Sequence, residues 1–182
     1  NEWGELAGEE WDFNHLARYF SKIENGPLQL AHQRDPRSST AAWLHAAQQA
    51  GYSIATPNQP TPEGFSKTIV TQRRGARWST ADAYLTPALR RKNLALLTGA
   101  TATRVLFDGT RATGIEYTRR GQRHTLRARR EVILCGGTIN TPQLLMLSGV
   151  GDRPHLTPSG IPVVHHAPVL GNDRHAVGLP AH

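Results

Sequence analysis

With a single cysteine, Cys135, the 182-residue chain can hold neither an internal disulfide nor a metal site built from several thiolates. No apolar run reaches the roughly 20 residues that a membrane-spanning helix needs. The opening residues, Asn1-Glu2-Trp3-Gly4-Glu5, offer neither a basic segment nor an apolar one, so no signal peptide is visible. They also lack an initiating Met, and the expectation is an internal piece of a longer protein. Internal repeats and low-complexity segments are missing too.

What is present points to a loop-rich globular protein. The hydrophobic fraction is 38%, with 17 Gly and 12 Pro, a balance unlike that of long-helix or disordered chains. The length suffices for one ordinary domain or two incomplete ones. Cys135 closes the apolar run Val132-Ile133-Leu134, where a buried, inert thiol is expected rather than a nucleophile. One reduced thiol is compatible with a cytoplasmic location, and membrane association of a longer protein stays open.

A formal charge of +7 and a pI near 10.3 raise the question of a polyanionic partner. The basic residues are scattered, at Arg73-Arg74, Arg90-Arg91-Lys92, Arg119-Arg120 and Arg127 to Arg130, each beside a turn or strand end. Aromatic residues that could stack on bases do not interleave with them. Solvated faces explain the pattern better, and no nucleic-acid partner is expected.

The first half reads as helices and short strands. Asp12 can cap a helix with Phe13, Leu16, Ala17, Phe20 and Ile23 on one apolar stripe, stopped by Asn25-Gly26-Pro27. Leu28 to Leu30 alternates like a short strand. Ser38 or Ser39 precedes a second helix over Ala41 to Ala50, with Trp43, Ala46, Ala47 and Ala50 inward and Gly51 as its terminator. Ser66 to Gln72 is a strand candidate followed by a polar turn. Ser79 or Thr80 can cap a short helix, and Pro87 suits the opening of another. In the second half Leu94 to Leu97 has strand length. Ala102 to Phe107, Gly114 to Tyr117 and His124 to Ala128 are separated by Asp108-Gly109 and Arg120-Gly121, the spacing of an antiparallel meander. Glu131 to Cys135 reads as a strand buried on both faces of a parallel sheet.

The richest segment follows that strand. Gly136-Gly137 removes two Cβ atoms where the chain leaves the sheet, permitting positive φ and close approach of a backbone or ligand. Thr141 and Pro142 suit the cap and first position of a helix. Leu144, Leu145 and Leu147 supply a buried side, and Gly149 or Gly151 ends it. A strand entering a helix through glycines suits a cofactor's phosphate or ribose, and equally a junction with no ligand.

Gly137 through Gly151, with Thr141-Pro142, an aliphatic pair and Ser148-Gly149-Val150-Gly151, resembles the second signature of the glucose–methanol–choline oxidoreductases. Arg77 to Leu85, Asn93 to Arg104, Gly114 to Tyr117, Ala128 to Leu134 and Gly160 to Val164 resemble other segments of that family in the same order. The likeness extends to about residue 168. It implies an α/β (mixed α+β) fold: part of a substrate-binding domain over 1–78, part of a Rossmann-like FAD-binding domain over 79–168, and a divergent tail over 169–182.

The same resemblance implies FAD as cofactor and a small-molecule alcohol as substrate, with hydride transfer to the flavin and a histidine near the C-terminus taking the hydroxyl proton. Ala102 stands where the family has a Val whose backbone contacts adenine, and Gly136 and Gly137 match the small residues beside the cofactor. No G-x-G-x-x-G follows an N-terminal strand, so the pyrophosphate site is expected elsewhere. His165, His166, His175 and His182 do not match the catalytic motif and are expected at the surface. No catalytic residue and no metal ligand is assigned to this chain, and by itself it is expected to be inactive. A flavin-containing hydroxynitrile lyase and a non-catalytic basic module are the alternatives.

Overall fold

The computed structural model describes residues 2–57 and 63–170. The chain divides into two compact units, Asn1–Leu96 and Leu97–His182.

In the first unit, α1 (Glu2–Ala7) and a 3-10 turn (Glu9–Trp11) lead into α2 (Phe13–Glu24). Asp12 caps α2 as its side chain predicts: Oδ1 accepts from the His15 backbone N–H at 2.7 Å and lies 2.9 Å from His15 Nδ1. Those bonds to His15, the backbone one foremost, hold the Asp12 carboxyl below its ordinary value of 3.8. A group whose pKa is depressed by folding supports the fold above its unfolded value and loses that support as pH falls through the folded one. The far-UV helical signal of α2 is therefore expected to weaken below pH 3.8, and Asp12→Ala is expected to weaken it at neutral pH and flatten that part of the acid titration.

β1 (Leu30–His32), β2 (Ile69–Arg73) and β3 (Ala76–Arg77) form an antiparallel sheet. β1 starts two residues later than the alternation predicts, because Gln29 takes a left-handed φ of 56° and breaks the run at Leu28. Arg74 and Gly75, both at positive φ, make the tight β2–β3 turn. Trp78 Nε1 donates to the Pro27 carbonyl at 2.8 Å, and the Arg73 guanidinium stacks over the Trp78 ring at 4.7 Å.

α3 (Ser38–Gln49) begins three residues before the predicted start, so Ser38 and Ser39 lie inside it and Arg37 holds the cap position. Its inward face is also different: Leu44 and Ala47 are buried, whereas Trp43 is 67% exposed and Ala46 and Ala50 face solvent. Leu44 and Ala47, three residues apart, share one face, and Trp43 sits about 100° round the helix from Leu44. Gly51, at φ 89°, terminates α3 as expected. Ser79 and Asp82 cap each other, Ser79 N–H and Oγ donating to Asp82 Oδ2 and Ser79 Oγ accepting from Asp82 N–H, ahead of a wide π-type turn (Ala81–Leu85) and α4 (Thr86–Ala88), which holds Pro87 in its first turn.

The second unit is built on the expected meander, β4 (Ala100–Asp108), β5 (Arg111–Arg119) and β6 (Gln122–Arg127), all antiparallel. Gly109 and the Arg120-Gly121 pair make its turns at positive φ. β4 carries a bulge: Ala102 pairs with Tyr117 but Arg104 with Glu116, leaving Thr103 extra. Thr103 Oγ1 lies 3.2 Å from both the Glu116 carbonyl and Glu116 Oε1, which tethers the bulge.

After β6 come α5 (Gly137–Leu147), β7 (Val150–Gly151), α6 (Arg153–Leu156) and β8 (His165–His166), with β7 and β8 parallel. α5 starts at Gly137 and contains Pro142, which corrects the expectation that Thr141 and Pro142 open the helix. Gly137 at φ 80° turns the chain helical a full turn earlier, and only the Thr138 carbonyl forgoes a partner to proline. β8, at His165–His166, directly follows the family-like segment Gly160 to Val164.

Neither Leu94 to Leu97 nor Glu131 to Cys135 is a strand. Both are apolar and open to solvent, with Ile133 73% exposed. A parallel strand needs ladder partners, and the described residues provide none for these two segments.

Candidate functional site

The extended segment 131–135, the glycine bend and the bulged strand meet at a cleft of about 470 Å³ in the second unit. Ala102 and Gly136 both line it, so two of the three predicted residues come together. Gly137 stands next to Gly136 at the head of α5, outside the lining; its φ of 80° is the left-handed conformation that the sequence predicts there. The wall is apolar where Ile115, Val132, Leu134 and Leu144 contribute, and polar where Thr101, Asn140, Thr141 and Gln143 do. None of the lining residues among those described is charged. Such a surface can pack against a flat heteroaromatic ring and hydrogen-bond to amide-like or hydroxyl groups. It has no cation with which to neutralise a phosphate.

Cys135 also lines this cleft and is exposed, which corrects the prediction of a buried thiol. Burial would require strand character, which segment 131–135 does not have. His165 and His166 are exposed, as predicted, and form β8. His166 Nδ1 accepts from the Arg153 backbone N–H at 3.2 Å and lies 3.7 Å from Asp152 Oδ1. His175 and His182 lie outside the described residues. Among the described residues no group of His, Cys, Asp or Glu has the arrangement of a metal site, and no helix is long and apolar enough to cross a membrane. A larger open groove of about 700 Å³ in the first unit, beside His32, Trp43 and Lys67, contains none of the predicted site residues.

One residue of the site passed unnoticed in the sequence except as a letter of the signature. Ser148, 1% exposed, follows α5 directly. Its hydroxyl donates to the Leu144 carbonyl at 2.5 Å and accepts from the Val105 backbone N–H at 2.8 Å. Val105 is itself buried in β4. The two glycines after Ser148 allow the close approach that follows: Gly149, at φ 92°, accepts at its carbonyl from Val164 N–H at 2.7 Å, and the Gly151 carbonyl accepts from Ala167 N–H at 2.9 Å.

A bulged antiparallel meander, a glycine-headed helix pinned across its edge strand and an uncharged cleft between them define a mixed α/β unit. The sequence matches GMC oxidoreductase over residues 1–178, and the chain belongs to that family. It is 55% identical over 187 residues to an uncharacterized GMC-type oxidoreductase of Mycobacterium tuberculosis, covering 94% of this chain and 35% of that protein. It is 44% identical over 186 residues to the mitochondrial choline dehydrogenase of Mus musculus, covering 95% of this chain and 31% of that protein. Among solved structures, pyridoxine 4-oxidase from Mesorbium loti superposes with a TM-score of 0.81 at 26% identity, covering 92% of this chain and 36% of that one. The chain spans about a third of the length of the curated relatives it matches.

Proposed function

We propose that the chain forms part of an FAD-dependent oxidoreductase that oxidises the CH–OH group of a small alcohol. The observation that carries the reading is the uncharged cleft between bulged β4 and the head of α5, in a member of the GMC oxidoreductase family. FAD fits the residues present through its adenosine half. The apolar wall suits the adenine ring, while Thr101, Asn140, Thr141 and Gln143 supply uncharged donors and acceptors for ring nitrogens and ribose hydroxyls. Ala102 would meet adenine through its main chain, where the adjacent bulge reorients the strand. Gly136 lines the cleft beside Asn140 and Thr141, with Gly137 next to it at the head of α5, and the ribose is assigned to this end. Among the described residues the lining has no basic side chain, so the pyrophosphate is assigned to residues outside this part of the cleft.

When bound, the flavin supplies the hydride acceptor. The residues described here bind and orient; none is assigned to proton transfer. Choline dehydrogenase among the relatives makes choline the first alcohol to test.

The full-length gene product is expected to purify with a flavin spectrum, and an excess of its alcohol under anaerobic conditions is expected to bleach that spectrum. A colourless product that takes up no FAD would refute the cofactor assignment. A flavoprotein that stays yellow with every primary and secondary alcohol tried would refute the reaction.

A further inference from the structure

We infer that Ser148 is a positioning residue for the adenosine side of the cleft, its buried hydroxyl joining the end of α5 to β4 and thereby fixing Gly136 and Ala102 relative to each other. The inference rests on the reading of that cleft as an FAD site. The hydroxyl uses its proton on the Leu144 carbonyl and a lone pair on Val105 N–H. Val105 lies three residues beyond Ala102 on the far side of the Thr103 bulge. Bulges make a strand's local path adjustable, so something must set it. Thr103 sets it from the β5 side through Glu116, and Ser148 sets it from the α5 side. Leu144, whose carbonyl takes the other bond, itself lines the cleft. One hydroxyl therefore connects both walls of the cleft without touching its contents.

Removing it leaves a buried N–H and a helix-end carbonyl without this partner, and the cost is relieved only if α5 or β4 moves. Either motion changes the cleft.

The test uses the full-length product, stripped of flavin and titrated with FAD by flavin fluorescence at a temperature far below every variant's unfolding midpoint. Under that condition a merely structural loss leaves Kd unchanged. Ser148→Ala is expected to weaken FAD binding about tenfold. Ser148→Cys, close in size and a weak donor and acceptor, is expected to recover part of the loss and carries the test should the alanine variant not fold. Leu44→Ala, a core truncation in the first unit, is the control for lowered stability and is expected to keep the wild-type Kd. Ser148 variants that bind FAD as tightly as the wild type would overturn the inference. A wild-type protein that binds no FAD would overturn the reading of the cleft and the inference together, a result distinct from the first.

Discussion

Replacing Gly149 by alanine is expected to cost about 4 kcal/mol of stability, a large share of what holds a marginally stable protein folded. Two independent penalties meet at this position. The backbone stands at φ 92°, where a side chain is strained in any surroundings. A Cβ there would also lie 2.3 Å from the Pro162 carbonyl oxygen and 3.0 Å from the Val164 side chain. The first obstacle is backbone, so no rotamer change relieves it. The crowding has a function in the fold, since it is the approach that lets the Gly149 carbonyl accept from Val164 and His165 and brings β8 beside β7. Gly109→Ala separates the two penalties. Gly109 also has positive φ, 58°, but a Cβ there would meet open space, so only strain applies and about 1 kcal/mol is expected. Urea unfolding followed by circular dichroism measures both; equal effects at the two glycines would contradict the crowding at Gly149.

Ala102→Trp is expected to act in the opposite way, sparing the fold and losing the cofactor. Ala102 is exposed on β4, where a large aromatic is tolerated, and the change in stability is expected to stay within about 0.5 kcal/mol. The indole would occupy space in the cleft that Ala102 lines, and FAD affinity of the full-length product is expected to fall about a hundredfold. Parallel thermal unfolding and FAD titration read the two quantities. Loss of stability with undiminished FAD affinity would place the flavin elsewhere.

The elements that the sequence predicts well are those whose causes are local. Asp12 finds the His15 N–H three residues away, and the meander follows from period-2 runs separated by Asp108-Gly109 and Arg120-Gly121, with Gly109, Arg120 and Gly121 all at positive φ. Gly51 ends α3 for the same kind of reason. Departures arise where the cause is distant. Val132 to Cys135 and Leu94 to Leu97 have the composition of buried parallel strands, but a strand is made by its neighbours, and the exposed Ile133 and Cys135 show what that composition does without them. Trp43 is on the outer face of α3 although its apolarity points inward, because Leu44 and Ala47 set the buried face.

The candidate site divides along the same line. Ala102 and Gly136 are legible through the family resemblance, and the structure brings them to one cleft. Their convergence depends on a bulge at Thr103 that no periodicity announces, because an inserted residue leaves no compositional trace. Ser148 is conspicuous only as the first letter of Ser-Gly-Val-Gly. Its role needs Val105, 43 positions earlier in the chain, which only the folded arrangement reveals. Thr141-Pro142 shows the reverse: a strong local helix-start pattern is overridden by Gly137, which lets α5 begin one turn sooner.

The decisive measurement is a crystal structure of the FAD-loaded full-length gene product. The adenine ring should lie in van der Waals contact, about 4 Å, with the main chain of Ala102, and the ribose beside Gly136 and Gly137. Ordered FAD with its adenosine elsewhere, and this cleft filled by other protein residues, would contradict the assignment.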